Sequence, residues 1–196
     1  MTKERKIEYD IVYIQMAQCV AQLSNAIRNK VGCIIVSEDG QIISQGFNGM
    51  PTGFDNCCED PHCSCKYVRG CAVTEKPIDE QMSVEFCANA LKPLGHANDK
   101  KGYPCHYLTL TTKPEVLHAE TNAISKCAKL MASTNNSTMY ATLSPCFDCA
   151  KFIIQSGIKR LVFLDLYRNK EGIELLKNAN IIVEQIDIDN KKLIKF

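Results

Sequence analysis

The sequence predicts an α/β fold, a three-layer α/β/α arrangement around a central mixed sheet of about five strands. Two observations carry this. From residue 117 onward, helix and strand patterns alternate three times, which brings strands side by side in parallel beneath covering helices. Earlier, two short apolar runs flank a tight turn, the mark of an antiparallel hairpin.

The first segment has helical spacing. Ile7, Ile11, Ile14 and Ala21 form one apolar stripe, with Val12, Met16, Cys19 and Leu23 beside it. Residues 31–36 and 41–47 are the hairpin strands, joined by Ser37-Glu38-Asp39-Gly40. Between about 48 and 116 the regular pattern stops: Pro51, Pro61, Pro77, Pro93, Pro104 and Pro114 interrupt it, and a loop of that length needs something to organise it. Order returns with a helix over 118–131, a strand over 138–143 and a helix over 145–156. Ser144 suits the N-cap of that second helix, Pro145 its first turn and Gly157 its C-terminal stop. A strand over 159–166, a helix over 171–180 and a strand over 181–188 complete the pattern. Lys191, Lys192 and Lys195 are read as a solvated tail.

At 196 residues one domain spanning 1–196 is expected, with an insert at about 54–116. Lys and Arg number 23 against 22 Asp and Glu, so no basic field marks a nucleic-acid surface. The polar start MTKERKIEYD has no signal-peptide core, and no segment has the ~18 consecutive apolar residues of a membrane helix, which points to the cytoplasm. Thiols stay reduced there, so the 12 cysteines suggest metal before disulfides.

Two fragments carry chemistry: His118-Ala119-Glu120 and Pro145-Cys146-Phe147-Asp148-Cys149. Each starts a predicted helix. Cys146 and Cys149 are three apart and share one face of the first turn, where the helix N-terminus favours the thiolate that binds metal. One His and two Cys are the ligand count of a catalytic zinc with a fourth position for water, whose pKa zinc lowers. Glu120, two residues from His118, is too close to join it as a ligand but is placed to move protons. H-x-E with a downstream P-C-x-x-C is the signature of zinc nucleobase deaminases. A structural zinc knuckle is the alternative reading of the C-x-x-C alone.

The stretches HAETNAI (118–124), TMYATLSPCFDCAKFIIQSGIKRLVF (138–163) and VGCIIV…GFNGMPTG (31–53) resemble the deoxycytidylate (dCMP) deaminases of the cytidine-deaminase-like superfamily. HAE and PCxxC are shared across that superfamily; GFNGMP, QSGIK and the Tyr167 after VFLDL are more discriminating. The resemblance implies hydrolysis of dCMP to dUMP and ammonia for thymidylate synthesis. It implies Asn48 near the sugar and the zinc site, Tyr167 near the phosphate, and Ser24 and Arg28 among phosphate-facing residues. Ala119 and Ser144, in and beside the two motifs, complete the substrate-binding candidates. It further implies a homo-oligomer (relatives are often hexamers), activated by dCTP with Mg2+ and inhibited by dTTP, at a site involving Asn48 and Gly49.

Seven of the 12 cysteines fall in the irregular segment, which suggests a second, structural zinc. The preferred ligands are Cys57, Cys63, Cys65 and Cys105 or His106. The segment departs from the relatives, which often place ligands just before HAE, where residues 113–117 offer only Glu115, and at the position of Ala26. The competing functions are a polynucleotide or tRNA base deaminase, disfavoured by the charge of +1 and the lack of Trp, and a non-catalytic zinc-binding regulator, disfavoured by the intact Glu120.

Overall fold

The structure is a computed structural model and describes residues 2–63 and 108–196. It divides into two compact units: Met1–Asn25 with Asn29–Gly49 and Leu117–Phe196, and Ala26–Arg28 with Met50–Val116.

In the first unit, helix α1 (Lys3–Ala21) precedes the hairpin β1 (Gly32–Val36) and β2 (Ile42–Phe47). Its turn closes with Gly40 at φ +88°, a left-handed conformation that glycine adopts without a Cβ clash. After the second unit come α2 (Ala119–Lys129), β5 (Thr138–Leu143), α3 (Phe147–Gln155), β6 (Arg160–Asp165), α4 (Glu171–Asn178), β7 (Ile182–Asp187) and β8 (Lys192–Lys195). The six-stranded sheet has the order β2-β1-β5-β6-β7-β8. β5, β6 and β7 run parallel, and the remaining neighbours pair antiparallel.

Strand alternation sends successive side chains to opposite faces, and it builds two cores. Cys33, Ile35, Met139, Ala141, Leu161 and Phe163 face α2, α3 and α4, where Ala123, Ile153 and Ile173 meet them. Ile34, Val36, Tyr140 and Val162 face α1, where Ile14, Ala17 and Val20 meet them. Three layers result. On the α1 side a charged bracket is buried in the interface. Arg160 donates from Nη1 and Nη2 to the two oxygens of Asp10 at 2.7 Å each and from Nε to Glu184 Oε2 at 2.8 Å, while the Tyr140 hydroxyl donates to Asp10 Oδ1 at 2.7 Å. The bidentate geometry satisfies a guanidinium that could not otherwise leave water.

Three features differ from the sequence reading. The sheet has six strands because Lys192–Lys195 pairs with β7. Lys192 and Lys195 are exposed, so the tail is solvated in its side chains while its backbone closes the sheet as an edge strand. The second apolar stripe of α1 is outside the core: Val12, Met16 and Leu23 are exposed, and the inner face is completed by Asp10, Ala17 and Val20. The irregular segment contains two strands, β3 (Glu59–Cys63) and β4 (Leu108–Thr112), paired antiparallel with Glu59 opposite Thr112. In this second unit Ala26, Cys58 and Val116 are buried together with Met50 against them.

Candidate metal and catalytic centre

Both motifs sit at helix starts on the C-terminal side of the sheet's central strands. His118 is the N-cap residue of α2, extended at φ −75° and ψ 156°, and its carbonyl accepts from Asn122 N–H at 2.9 Å. α2 lies directly on β2: a Cβ at Gly46 would overlap the Ala119 carbonyl and the Ala123 amide, so only glycine allows this approach. Asn122 Nδ2 donates to Phe47 O at 2.8 Å, and the Ser44 hydroxyl to Ala123 O at 2.7 Å, fixing the height of the helix start.

Helix α3 begins two residues later than expected. Its N-cap is Cys146, not Ser144, and the Cys146 sulfur accepts from Cys149 N–H at 3.5 Å. A thiolate at an N-cap receives the helix dipole and an amide hydrogen bond together. Ser144 is buried and holds a different segment, its Oγ accepting from the Tyr167 N–H at 2.8 Å. Gly157 ends the helix region at φ +77°, as expected.

The two helix starts bring His118, Cys146 and Cys149 together. One donor atom from each lies within 4.8 Å of the others, with His118 Nδ1 at 3.3 Å from Cys149 Sγ and 3.5 Å from Cys146 Sγ. No other group of three or more such residues is found among the described residues. The Cys149 hydrogen bond draws the Cys146 thiol down to about 4, aided by His118, while the same bond and burial push Cys149 up. Metal binding requires both thiols in the ionised form. The Cys146 contact also raises His118. One imidazole and two thiols at this spacing fit a zinc ion with one open position. Glu120, 4% exposed, adjoins Cys149; burial raises its pKa, the shift that suits a group that must both take and give a proton.

The other candidates separate. Ala119 is fully buried. The Ser24 hydroxyl donates to Asn48 O at 2.7 Å; Asn48 Oδ1 accepts from Val31 N–H at 2.8 Å and Nδ2 donates to Asn29 O at 2.9 Å. Gly49 exchanges backbone hydrogen bonds with Leu117, the residue before His118. Tyr167 is half-buried under Arg168, whose guanidinium lies 5.4 Å from the ring centre. Arg28 is exposed in the second unit, with Nη1 donating to Thr112 Oγ1 at 3.3 Å. Cys57 is buried there, and its thiol donates to Glu59 O at 3.5 Å. The side chain of Cys63, and Cys65, Cys105 and His106 altogether, lie outside the described residues. The sequence reading missed Gly46 and the capping sulfur of Cys146; Gly46 carried a signal, a glycine inside a strand pattern.

The profile of the cytidine and deoxycytidylate deaminase zinc-binding region matches residues 7–165. The chain belongs to this family. The deoxycytidylate deaminase of Enterobacteria phage T4 is 38% identical over 93% of this chain and 91% of that protein. The Homo sapiens deoxycytidylate deaminase is 29% identical over 84% of this chain and 70% of its own. A crystal structure of the dCMP deaminase from cyanophage S-TIM5, in complex with dCMP and dUMP, aligns with a TM-score of 0.63 and 31% identity over 95% of this chain and 99% of that one. As a deaminase-family chain, this protein carries the donor set and the buried carboxylate on the two motifs inside the matched region. No helix among its described residues is long and apolar enough to cross a membrane.

Proposed function

We propose that this protein hydrolyses dCMP to dUMP and ammonia, supplying dUMP for thymidylate synthesis. The observation that carries the reading is the convergence of His118, Cys146 and Cys149 within 4.8 Å beside the buried Glu120. The 31% identical cyanophage enzyme, held with dCMP and dUMP, supports the choice of nucleotide.

His118, Cys146 and Cys149 hold the zinc. When bound, zinc lowers the pKa of a water at its open position and so supplies a nucleophile near neutral pH. Glu120 carries the protons. It accepts one from the attacking water and passes it to the ring nitrogen N3; it then takes the proton left on the C4 hydroxyl and gives it to the amino group, so that C4–N breaks as C4=O forms and ammonia leaves. Burial keeps Glu120 protonatable at the moment it must donate. Ala119 and Ser144 frame the base. Asn48, anchored to the backbone at 29 and 31, offers the second N–H of its amide to the sugar. Ser24, Arg28 and Tyr167 serve the phosphate, for which a guanidinium is suited.

The same reading extends to a cytoplasmic homo-oligomer with dCTP and Mg2+ as activator, dTTP as inhibitor and Asn48-Gly49 in the effector site. It also extends to a single functional domain with a second zinc in the insert, on Cys57, Cys63, Cys65 and Cys105 or His106. Ala26 and Val116 are buried against Cys58 and donate no ligand, so such a site draws on this other set. Incubation of the purified enzyme with dCMP tests the function, with dUMP and ammonia as the expected products. No turnover, with or without dCTP, overturns it. Zinc analysis tests the second site: one ion per chain removes it.

A further inference from the structure

The first turn of α4 presses on the loop that carries Cys146. Gly172, the second residue of α4, is buried. A Cβ on it would overlap the Pro145 carbonyl oxygen and come within 2.8 Å of the Cys146 carbonyl oxygen and 2.9 Å of its carbon. Only glycine lets the helix come this close. The contact falls where α3 begins. Cys146 O accepts from Ala150 N–H at 3.0 Å, the first bond of that helix, while Cys146 Sγ accepts from Cys149 N–H at 3.5 Å.

Neither side of this contact can retreat freely. Ile173 and Leu176 seat α4 in the core, and Cys149, Ala150 and Ile153 bury the inner face of α3. Asn169 Oδ1 accepts from Glu171 N–H at 2.9 Å and closes the turn just ahead of Gly172. The chain leading into α4 is tied to the same loop at a second point. Ser144 N–H donates to Asp165 O and Ser144 Oγ accepts from Tyr167 N–H, both at 2.8 Å. Residues 144–146 are thus held at both ends by the segment between β6 and α4. In a close-packed interior an added methyl forces backbone to shift. Here the backbone that shifts carries the Cys146 sulfur, 3.5 Å from His118 Nδ1.

We infer that Gly172 is a positioning residue for the metal: by seating α4 on the Pro145–Cys146 peptide, it fixes where the Cys146 sulfur stands relative to His118 and Cys149. This rests on the reading of those three residues as the zinc ligands. Support behind a ligand sets its orientation and so its grip on the ion. A side chain at 172 therefore lowers metal affinity and alters ligand geometry, beyond what overpacking costs the fold.

Gly32 supplies a matched control. A Cβ there would overlap the Ala17 carbonyl oxygen and come within 2.6 Å of the Ala21 amide nitrogen, an equally close approach on the sheet face opposite α2 and α3. Gly172→Ala, Gly32→Ala and the parent are compared as zinc-loaded full chains. A chromophoric chelator withdraws the ion, and Co2+ exchanged into the site reports ligand geometry through its visible bands. Expected for Gly172→Ala is a zinc affinity lower by about 10–100-fold, with cobalt bands shifted and weakened. Gly32→Ala keeps the affinity within about twofold and the parent cobalt spectrum, as a separate site does. Equal loss of zinc in both variants, or parent affinity or parent cobalt spectrum in Gly172→Ala, would overturn the positioning role and leave the ligand set standing. A parent chain that retains no zinc overturns the ligand set itself and this inference with it. Should Gly172→Ala not fold, Ser144→Ala removes the second tie and gives a smaller loss of zinc affinity; an unchanged affinity there overturns the role.

Discussion

The two units hold their functional side chains by different means. In the first, His118 and Cys146 are N-cap residues and Glu120 and Cys149 sit one and two residues inside their helix starts, so regular elements packed on a six-stranded sheet set their positions. In the second, a three-residue segment with no secondary structure is held by single side chains of a two-stranded ribbon. A sheet with helices on both faces distributes its support over many contacts, whereas a two-stranded ribbon concentrates it in a few. Reaction chemistry is placed on the first kind of support.

The largest effect expected from this contrast is at Cys149. Cys149→Ala removes a ligand from the rigid set, and activity falls about a thousandfold or more with loss of the metal, read by zinc analysis beside turnover. Glu120→Gln retains the zinc and lowers kcat by ~10²–10⁴-fold, since proton transfer alone is lost; an active Gln variant ends the proton-carrier assignment. Arg160→Leu leaves Asp10 and Glu184 buried without their cation and costs about 3–5 kcal/mol in urea unfolding of the loaded enzyme. A cost near zero shows that the bracket is not what seats α1. Hydrogen exchange measures the contrast itself: amides of β5 and β6 outlast those of β3 and β4 by roughly a hundredfold. Equal protection in the two units erases the distinction between them.

The same contrast governs what could be read from the residues. His118, Glu120, Cys146 and Cys149 were legible because helix geometry turns spacing into proximity, and the alternating units from 117 onward announced the parallel strands. The start of α3 was misjudged because Ser-Pro is a common helix opening, while a cysteine sulfur accepting an amide is not. β3 was invisible: Glu59-Asp60-Pro61-His62-Cys63 has no apolar alternation, and its partner strand lies more than forty residues on. Glu59 shares no spacing with Ile27 and Arg28, so only the folded chain reveals that its carboxylate accepts from both their amides. For α1, periodicity identifies a helix but not which of its two apolar stripes the sheet covers, and the stripe through Val12 and Met16 is the exposed one.

The lysine-bearing last strand has a bearing on how copies of this chain can meet. An edge strand with unpaired amides is an invitation for a neighbour's strand to continue the sheet. Here Lys192 and Lys195 stand exposed along β8, and a second copy laid edge to edge would bring like charges face to face. Repulsion between those lysines disfavours extension of the sheet along that margin.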